Sequence, residues 1–276
     1  MLNNFSIDEH IKSALKEDIP FWDITTDYVT EKNDTMTVYL RTRQDGVLAG
    51  IKVFKRVFEI LDEGVKVELY FEDGQKIVKG DVLAKIEGSA NAILKGERTA
   101  LNYAQRMSGI ATETAKYKVA IGDNSAKIVD TRKTTPNFRL FEKYSVLMGG
   151  GSLHRFNLTD CVMLKDNHIA FVGSIKGAVE KVREKLSHAH KIEVECDTLK
   201  QVYEALECGV DIIMLDNMNW EQVREACEII AGRAVVEVSG NVTLESISKI
   251  AECGVDIISS SAIVAKAYPL DLGLDK

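Results

Sequence analysis

Between Asp130 and Ile169 the chain gathers Arg132, Lys133, Arg139, Lys143, His154, Arg155, Lys165 and His168, with three glycines, Gly149, Gly150 and Gly151, just ahead of His154. Arginine presents a planar fork that fits a carboxylate or phosphate, and lysine a compact point charge. Glycine lets main-chain N–H groups come close to an anion. Together these residue types suit a ligand with several negative charges. The plain alternative is a solvated basic face followed by a glycine loop, and residue types alone leave the two level. Two details favour the anion site. The chain is acidic overall, with a net charge of −7, so the cluster runs against its background. Its cations are also separated by apolar residues such as Val162, Met163 and Leu164, which predicts strand ends and loops more than an exposed helix face.

The rest of the chain must position this cluster, and its bulk properties bound how. With 276 residues, 45% of them hydrophobic, it can bury a large core in one or two domains. No apolar run approaches the roughly 20 residues that span a bilayer. The N-terminal stretch is polar and helical in pattern, with no signal-peptide core. The five cysteines, Cys161, Cys196, Cys208, Cys227 and Cys253, form no CxxC pair and no Cys/His metal spacing. They read as free thiols of a cytoplasmic protein. The acidic balance argues against nucleic acid as a partner.

Taken in order, Ile7, Ile11 and Leu15 predict a helix that Pro20 ends. From about Met36 to Gly88 the pattern turns to strands, around a short amphipathic helix over Val53–Leu61, which predicts a small α+β domain. Asp73-Gly74 and Lys79-Gly80-Asp81 mark turns there. A long helix is expected from about Ala92 to Ala120, with Arg98 near its start. After Asp130, short apolar strands alternate with helices: Lys127–Val129, Val162–Leu164, Lys191–Glu195, Ile212–Leu215, Ala234–Val238 and Asp256–Ser259. The run Glu207-Cys208-Gly209-Val210-Asp211-Ile212-Ile213 recurs as Glu252-Cys253-Gly254-Val255-Asp256-Ile257-Ile258. Repeated strand–helix pairs of this kind build a parallel α/β barrel.

A barrel places functional residues at the C-terminal ends of its strands. Those ends read Asp130-Thr131-Arg132-Lys133, Lys165-Asp166-Asn167-His168, Glu193 with Glu195, Asp216-Asn217, Ser239-Gly240-Asn241 and Ser259-Ser260-Ser261. Each could also cap the helix that follows. The clusters divide by charge: cations early, carboxylates in the middle, small hydroxyl and glycine residues last. Small residues after the last barrel strands suit a phosphate. Carboxylates facing a phosphate suit Mg²⁺ or sugar hydroxyls.

Nearly the whole chain resembles the quinolinate phosphoribosyltransferase family. The resemblance rests on EDIPFWDITTD, DGVLAGIKVF, KGERTALNYAQRMSGIAT, DTRKTTPNFRLFEKYSVLMGGGSLHR, LKDNHI, IEVE, IIMLDNM, VEVSGNVTLESI and GVDIIS. It implies an α/β fold: an N-terminal α/β sandwich domain (1–103), an incomplete, open α/β barrel (104–264) and a tail (265–276) that packs back on the N-terminal domain. It implies transfer of phosphoribose from phosphoribosyl pyrophosphate to quinolinate in NAD biosynthesis. Arg132, His154, Arg155 and Lys165 would hold the two carboxylates of quinolinate. Lys133, Glu195 and Asp216 would carry the catalysis, holding phosphoribosyl pyrophosphate and its Mg²⁺, which is held mainly through substrate. Thr131 would line the same site, and Glu193 would be a further member. Ser239, Gly240 and Asn241, with Ser259, Ser260 and Ser261, would cradle the 5-phosphate. Arg98 would complete a partner's site in a homodimer or a hexamer of dimers. Ser261 stands where the family usually has glycine, which predicts crowding of a tight turn. Two other functions compete: a phosphoribosyltransferase for a different anionic ring, and a catalytically silent sensor of phosphoribosyl pyrophosphate or nucleotide.

Overall fold

Helix α1 (Asn4–Asp18) forms where Ile7, Ile11 and Leu15 recur on one buried face, and the Asn3 side chain accepts the Ser6 N–H to cap it. The structure, a computed structural model, describes residues 2–276. It divides into two units. Among the described residues, the first contains 2–115, 135–150 and 266–276; the second contains 116–134 and 151–265.

In the first unit, α1 is followed by α2 (Ile24–Val29), β1 (Thr35–Thr42), β2 (Gly46–Val47), α3 (Ile51–Leu61), β3 (Lys66–Leu69), β4 (Lys76–Ile77), β5 (Val82–Ser89) and α4 (Ala90–Ile121). The last of these runs into the second unit. The segment α5 (Arg139–Met148) and the terminal strand β12 (Leu272–Asp275) complete the unit. Its sheet has the order β12-β1-β5-β3, antiparallel throughout. Alternate residues of these strands and the apolar face of α3 (Ile51, Phe54, Val57, Phe58) form one core. Burying each large side chain contributes about 1.5–3 kcal/mol.

The second unit holds β6 (Lys127–Val129), β7 (Val162–Leu164), α6 (Asp166–Val172), α7 (Ile175–Arg183), β8 (Ile192–Cys196), α8 (Leu199–Glu207), β9 (Ile212–Asp216), α9 (Trp220–Ile230), β10 (Val235–Ser239), α10 (Ile247–Ala251), β11 (Ile257–Ser259) and α11 (Ala262–Ala265). Its six strands run parallel in the order β6-β11-β10-β9-β8-β7. The edge strands β6 and β7 do not pair with each other, so this is the expected open α/β barrel. The repeated ECGVDII run lies where expected, before β9 and before β11.

Two expectations shift. The break placed between 103 and 104 falls inside α4, a continuous helix of 32 residues; the units part between 115 and 116 instead. The segment carrying Arg139 and Lys143 is a helix, α5, and not a run of strand ends and loops. It belongs to the first unit, where Phe138 and Phe141 stack at 4.8 Å and pack with Tyr103 and His10. Lys143 is fully buried there. The glycines serve packing: a Cβ on Gly149 would lie 2.4 Å from the Ala111 carbonyl oxygen, and Gly150 takes a φ of 81°.

Close approach is as strict at Gly109 in α4, where a Cβ would lie 2.0 Å from the carbonyl oxygen of Tyr268. Gly109→Ala should therefore destabilise the fold by about 1–3 kcal/mol. A denaturant midpoint indistinguishable from that of the parent would show that the contact gives way freely.

Candidate active site

The strands of the open barrel place alternate side chains on the same face. On that inward face β7 leads to Met163 and then Lys165, β8 carries Glu193 and Glu195, β9 Met214 and Asp216, β10 Glu237 and Ser239, and β11 Ile257 and Ser259. The upper members, at the C-terminal strand ends, line a cleft of about 350 Å³. Ten of the residues expected at a site meet there: Thr131, Arg132, Lys133, His154, Arg155, Lys165, Glu195, Asp216, Ser239 and Ser259. Met163 and Met214 complete the lining. Sequence reasoning passed over both methionines, although each stands two residues before a polar strand end and so shares its face.

Lys165 and His168 close the first turn of α6, and Ser260 Oγ accepts the Ala262 N–H at 3.2 Å, but the polar ends of β8 and β9 are not helix caps. Capping falls to residues further along: the Thr198 side chain accepts the Gln201 N–H, and that of Asn219 accepts the Gln222 N–H. Glu195 and Asp216 are thereby left to the cleft. Lys165 Nζ donates to Glu195 Oε2 across adjacent strands. Burial raises the Asp216 carboxyl above its usual range, and Glu195 and Asp197 add to the effect. Asp216 accepts from Asn217 Nδ2 at 2.7 Å. The hydroxyl of Ser259 is buried, with no hydrogen-bond partner, a donor and acceptor held ready at the cleft wall.

His154 sits at the cleft base. Its main-chain N–H donates to the buried Asp130 at 2.9 Å. Burial lowers its basicity, but the carboxylates of Glu193 and Glu237 outweigh burial and push it up to about 9. The linkage has a definite sign. The ring's charge adds stability that is complete below about pH 6.5 and is lost as pH rises through about 9. Beside it, the Arg155 guanidinium donates to the Cys161 carbonyl oxygen at 2.9 Å and reaches Met163 Sδ at 3.4 Å.

Six expected residues lie outside the cleft lining; one of them, Glu193, lines a second cavity instead. Arg98 is on α4 in the first unit. Gly240 and Asn241 form the turn after β10, stitched to the turn after β9: Asn241 Nδ2 donates to Asn217 Oδ1 at 3.0 Å, and Asn217 N donates to Ser239 O at 3.1 Å. Ser260 N bonds the Val129 carbonyl at 3.1 Å, and the Ser261 carbonyl starts α11 by accepting from Ala265 N at 2.7 Å. Ser261 is not among the residues of positive φ, so the backbone at this position does not itself call for glycine. His168 also has another use: its Nδ1 accepts the Lys165 N–H at 3.0 Å and closes the first turn of α6.

Gly240 carries the tightest demand of the cleft rim. Its φ is 86°, and a Cβ would lie 2.3 Å from Asn217 Oδ1 and 2.9 Å from Asn217 N. Gly240→Ala should cost about 1–3 kcal/mol of stability, measured by denaturant unfolding. An unchanged midpoint would mean the turn does not need glycine.

Known proteins resemble the chain over both units. The profile described as "Quinolinate phosphoribosyl transferase, C-terminal domain" matches residues 110–275, and the corresponding N-terminal domain profile matches 23–108. The "Probable nicotinate-nucleotide pyrophosphorylase [carboxylating]" of Bacillus subtilis is 39% identical over 99% of this chain and 94% of its own length. The protein of the same name from Archaeoglobus fulgidus is 42% identical over 93% and 98%. The crystal structure of NadC from Streptococcus pyogenes superposes with a TM-score of 0.97 at 44% identity, covering 100% of this chain and 98% of that one. Likeness over both domains and almost the entire length, at these identities, means that the chain belongs to the quinolinate phosphoribosyltransferase family.

Proposed function

We propose that the protein is a carboxylating nicotinate-nucleotide pyrophosphorylase. It converts quinolinate and phosphoribosyl pyrophosphate to nicotinate mononucleotide, pyrophosphate and CO₂, in the de novo synthesis of NAD. One observation carries the assignment beyond family membership. A single cleft brings together cations (Arg132, Lys133, Arg155, Lys165), carboxylates (Glu195, Asp216) and small hydroxyls (Ser239, Ser259). A dianionic ring, a ribose and a phosphate need those three chemistries together.

In this reading Arg132, His154, Arg155 and Lys165 hold the two carboxylates of quinolinate. They present its ring nitrogen to C1 of the ribose. Positioning and charge stabilisation supply most of the rate, since the attack needs no strong base. Lys133 offsets the charge growing on the departing pyrophosphate. Glu195 and Asp216 orient the ribose hydroxyls and favour the cationic character of the sugar in the transition state. The 2-carboxylate then leaves as CO₂, because the quaternised ring nitrogen stabilises the carbanion. Met163 and Met214 offer the ring a soft apolar surface. Ser239, Gly240 and Asn241, with Ser259, Ser260 and Ser261, hold the 5-phosphate, aided by the open hydroxyl of Ser259.

Two carboxylates at neighbouring strand ends are oxygen donors of the kind Mg²⁺ takes, but Lys165 already occupies one of them. That fits an ion held mainly through the substrate, with Glu195 and Asp216 as its protein ligands. When bound it would neutralise charge on the pyrophosphate.

A homodimer with shared sites is supported by apolar side chains left in water: Phe5 and Phe21 are at least 90% exposed, and Trp22 and Tyr28 are also bare. Arg98 is the residue of that unit proposed to act in the partner's cleft. A cytoplasmic location accords with five free cysteines. No helix among the described residues is long and apolar enough to cross a membrane.

The deciding assay supplies quinolinate, phosphoribosyl pyrophosphate and Mg²⁺ and follows nicotinate mononucleotide and CO₂ together. Both products are expected, and both should vanish when the metal is chelated. Neither product with intact binding of phosphoribosyl pyrophosphate would point to another acceptor. Arg132→Ala should raise the quinolinate KM about 10- to 100-fold, the worth of one charge-assisted contact, with the fold intact; unchanged kinetics would remove Arg132 from the site. Inactive Arg98→Ala and Lys165→Ala subunits, mixed, should regain part of the activity. Proven mixed dimers without recovery would rule out a shared site.

A further inference from the structure

Under the cleft, within the barrel unit, lies a second cavity of about 380 Å³ whose walls include Cys161, Lys191, Glu193, Ile212, Glu237 and Ile257. His154 borders both spaces. Its Nε2 lies 3.3 Å from Glu237 Oε1 and 3.7 Å from Glu193 Oε1. Both carboxylates are almost wholly buried, and neither oxygen of Glu193 nor Oε1 of Glu237 accepts a hydrogen bond. The strands impose this meeting. Glu193 is two residues below Glu195 on β8, and Glu237 two below Ser239 on β10, so each points to the same interior as its cleft-lining neighbour.

Two carboxylates buried side by side repel each other and lack water, so an uncompensated pair is costly. The imidazole is the group placed to compensate them. The other charged and titratable groups around it are accounted for. Asp130 accepts the His154 N–H. The Arg155 guanidinium donates to Cys161 O and approaches Met163 Sδ, and its charge adds to that of the ring in favouring ionised Glu193. The Cys161 thiol is pushed up by burial to about 11 and stays neutral. Asp160 and Lys191 stand further around the lower cavity. The Arg155 N–H approaches Nδ1 at 2.6 Å, which favours a neutral ring. One amide dipole opposes two carboxyl groups at 3.3 and 3.7 Å; burial raises the Glu193 carboxyl above its usual range, yet the balance at the imidazole is still upward.

We propose that Glu193 and Glu237 are positioning residues that hold His154 as an imidazolium at the base of the cleft. The acceptor's binding site then carries the same charge across the neutral pH range. The consequence for the acceptor rests on the reading that quinolinate binds here; the state of the ring does not. The three donor atoms also lie within 4.8 Å of one another. A cation shared among them would exclude the proton on Nε2, so the test must separate the two.

The experiment is NMR of isotope-labelled histidine in the full-length protein, without substrates, with His154 assigned through His154→Asn. His154 should stay protonated past about pH 8, and Glu237→Gln, which keeps the shape and removes the charge, should lower its midpoint by about one unit or more. Glu237→Asp should restore the higher midpoint. In the assay, the quinolinate KM of the parent should be flat to about pH 8. That of Glu237→Gln should change with pH around the lowered midpoint, while the profile for phosphoribosyl pyrophosphate keeps its parent shape. A ring that titrates near 6.5 in the parent, a midpoint unmoved in folded Glu237→Gln, or a stoichiometric divalent ion lost with His154→Asn would each overturn the proposal. Should Glu237→Gln not fold, Glu193→Gln takes its place: a lowered midpoint supports the proposal and an unmoved one overturns it. A midpoint that moves as expected in a protein inactive on quinolinate would leave the positioning role standing and reject the substrate.

Discussion

Side-chain alternation along six parallel strands is the constraint on which the rest of this structure depends. Each strand is flanked by helices outside and by its neighbours' side chains inside, so every second residue must face the interior. The register stacks these positions: Met163 beside Glu193, Glu195 beside Met214, and Met214 beside Glu237. A polar residue at a strand end is therefore delivered to the cleft. One two residues earlier is delivered beneath it. Cleft and floor are two storeys of one ladder.

That ladder explains the electrostatics. A barrel interior built of aliphatic residues would need no charge compensation, but this one buries Glu193 and Glu237. His154 arrives from the loop that follows the glycine-rich turn and is anchored by Asp130, which holds its main-chain N–H. Higher up, Lys165 meets Glu195 on the next strand. Cations from the early part of the chain and carboxylates from the middle part thus pair within the barrel. Neither set is left as a bare field, and the acid-rich background of the chain does not cancel the local positive character that an anionic ring requires.

Much of the site was legible because barrel chemistry is nearly local. An apolar run followed by a polar cluster is both a strand and its functional end, and ten of the expected residues share the cleft. What misled was likeness of type without likeness of place. Arg139, Lys143 and the glycine triplet sit amid the basic stretch, yet their apolar neighbours Phe138 and Phe141 draw Arg139 and Lys143 into a helix of the other unit. His168 looks like one more cation and is a helix cap. Met163 and Met214 look like filler and line the cleft.

By itself, the sequence determined the alternation of strands and helices, the parallel barrel, the positions of the strand ends and, through its long motifs, the family. These follow from periods of two and of about three and a half, and from short runs whose meaning is local. Only the tertiary structure decided which polar residues meet. That Glu193 on one strand and Glu237 on another, 44 positions later by their numbers, close on the same imidazole is a matter of strand order and register. No local pattern encodes strand order, because it is set when distant segments bury their faces against each other. For the same reason the sequence could name Ser261 as an oddity, and only the backbone angles could show that its φ does not require glycine.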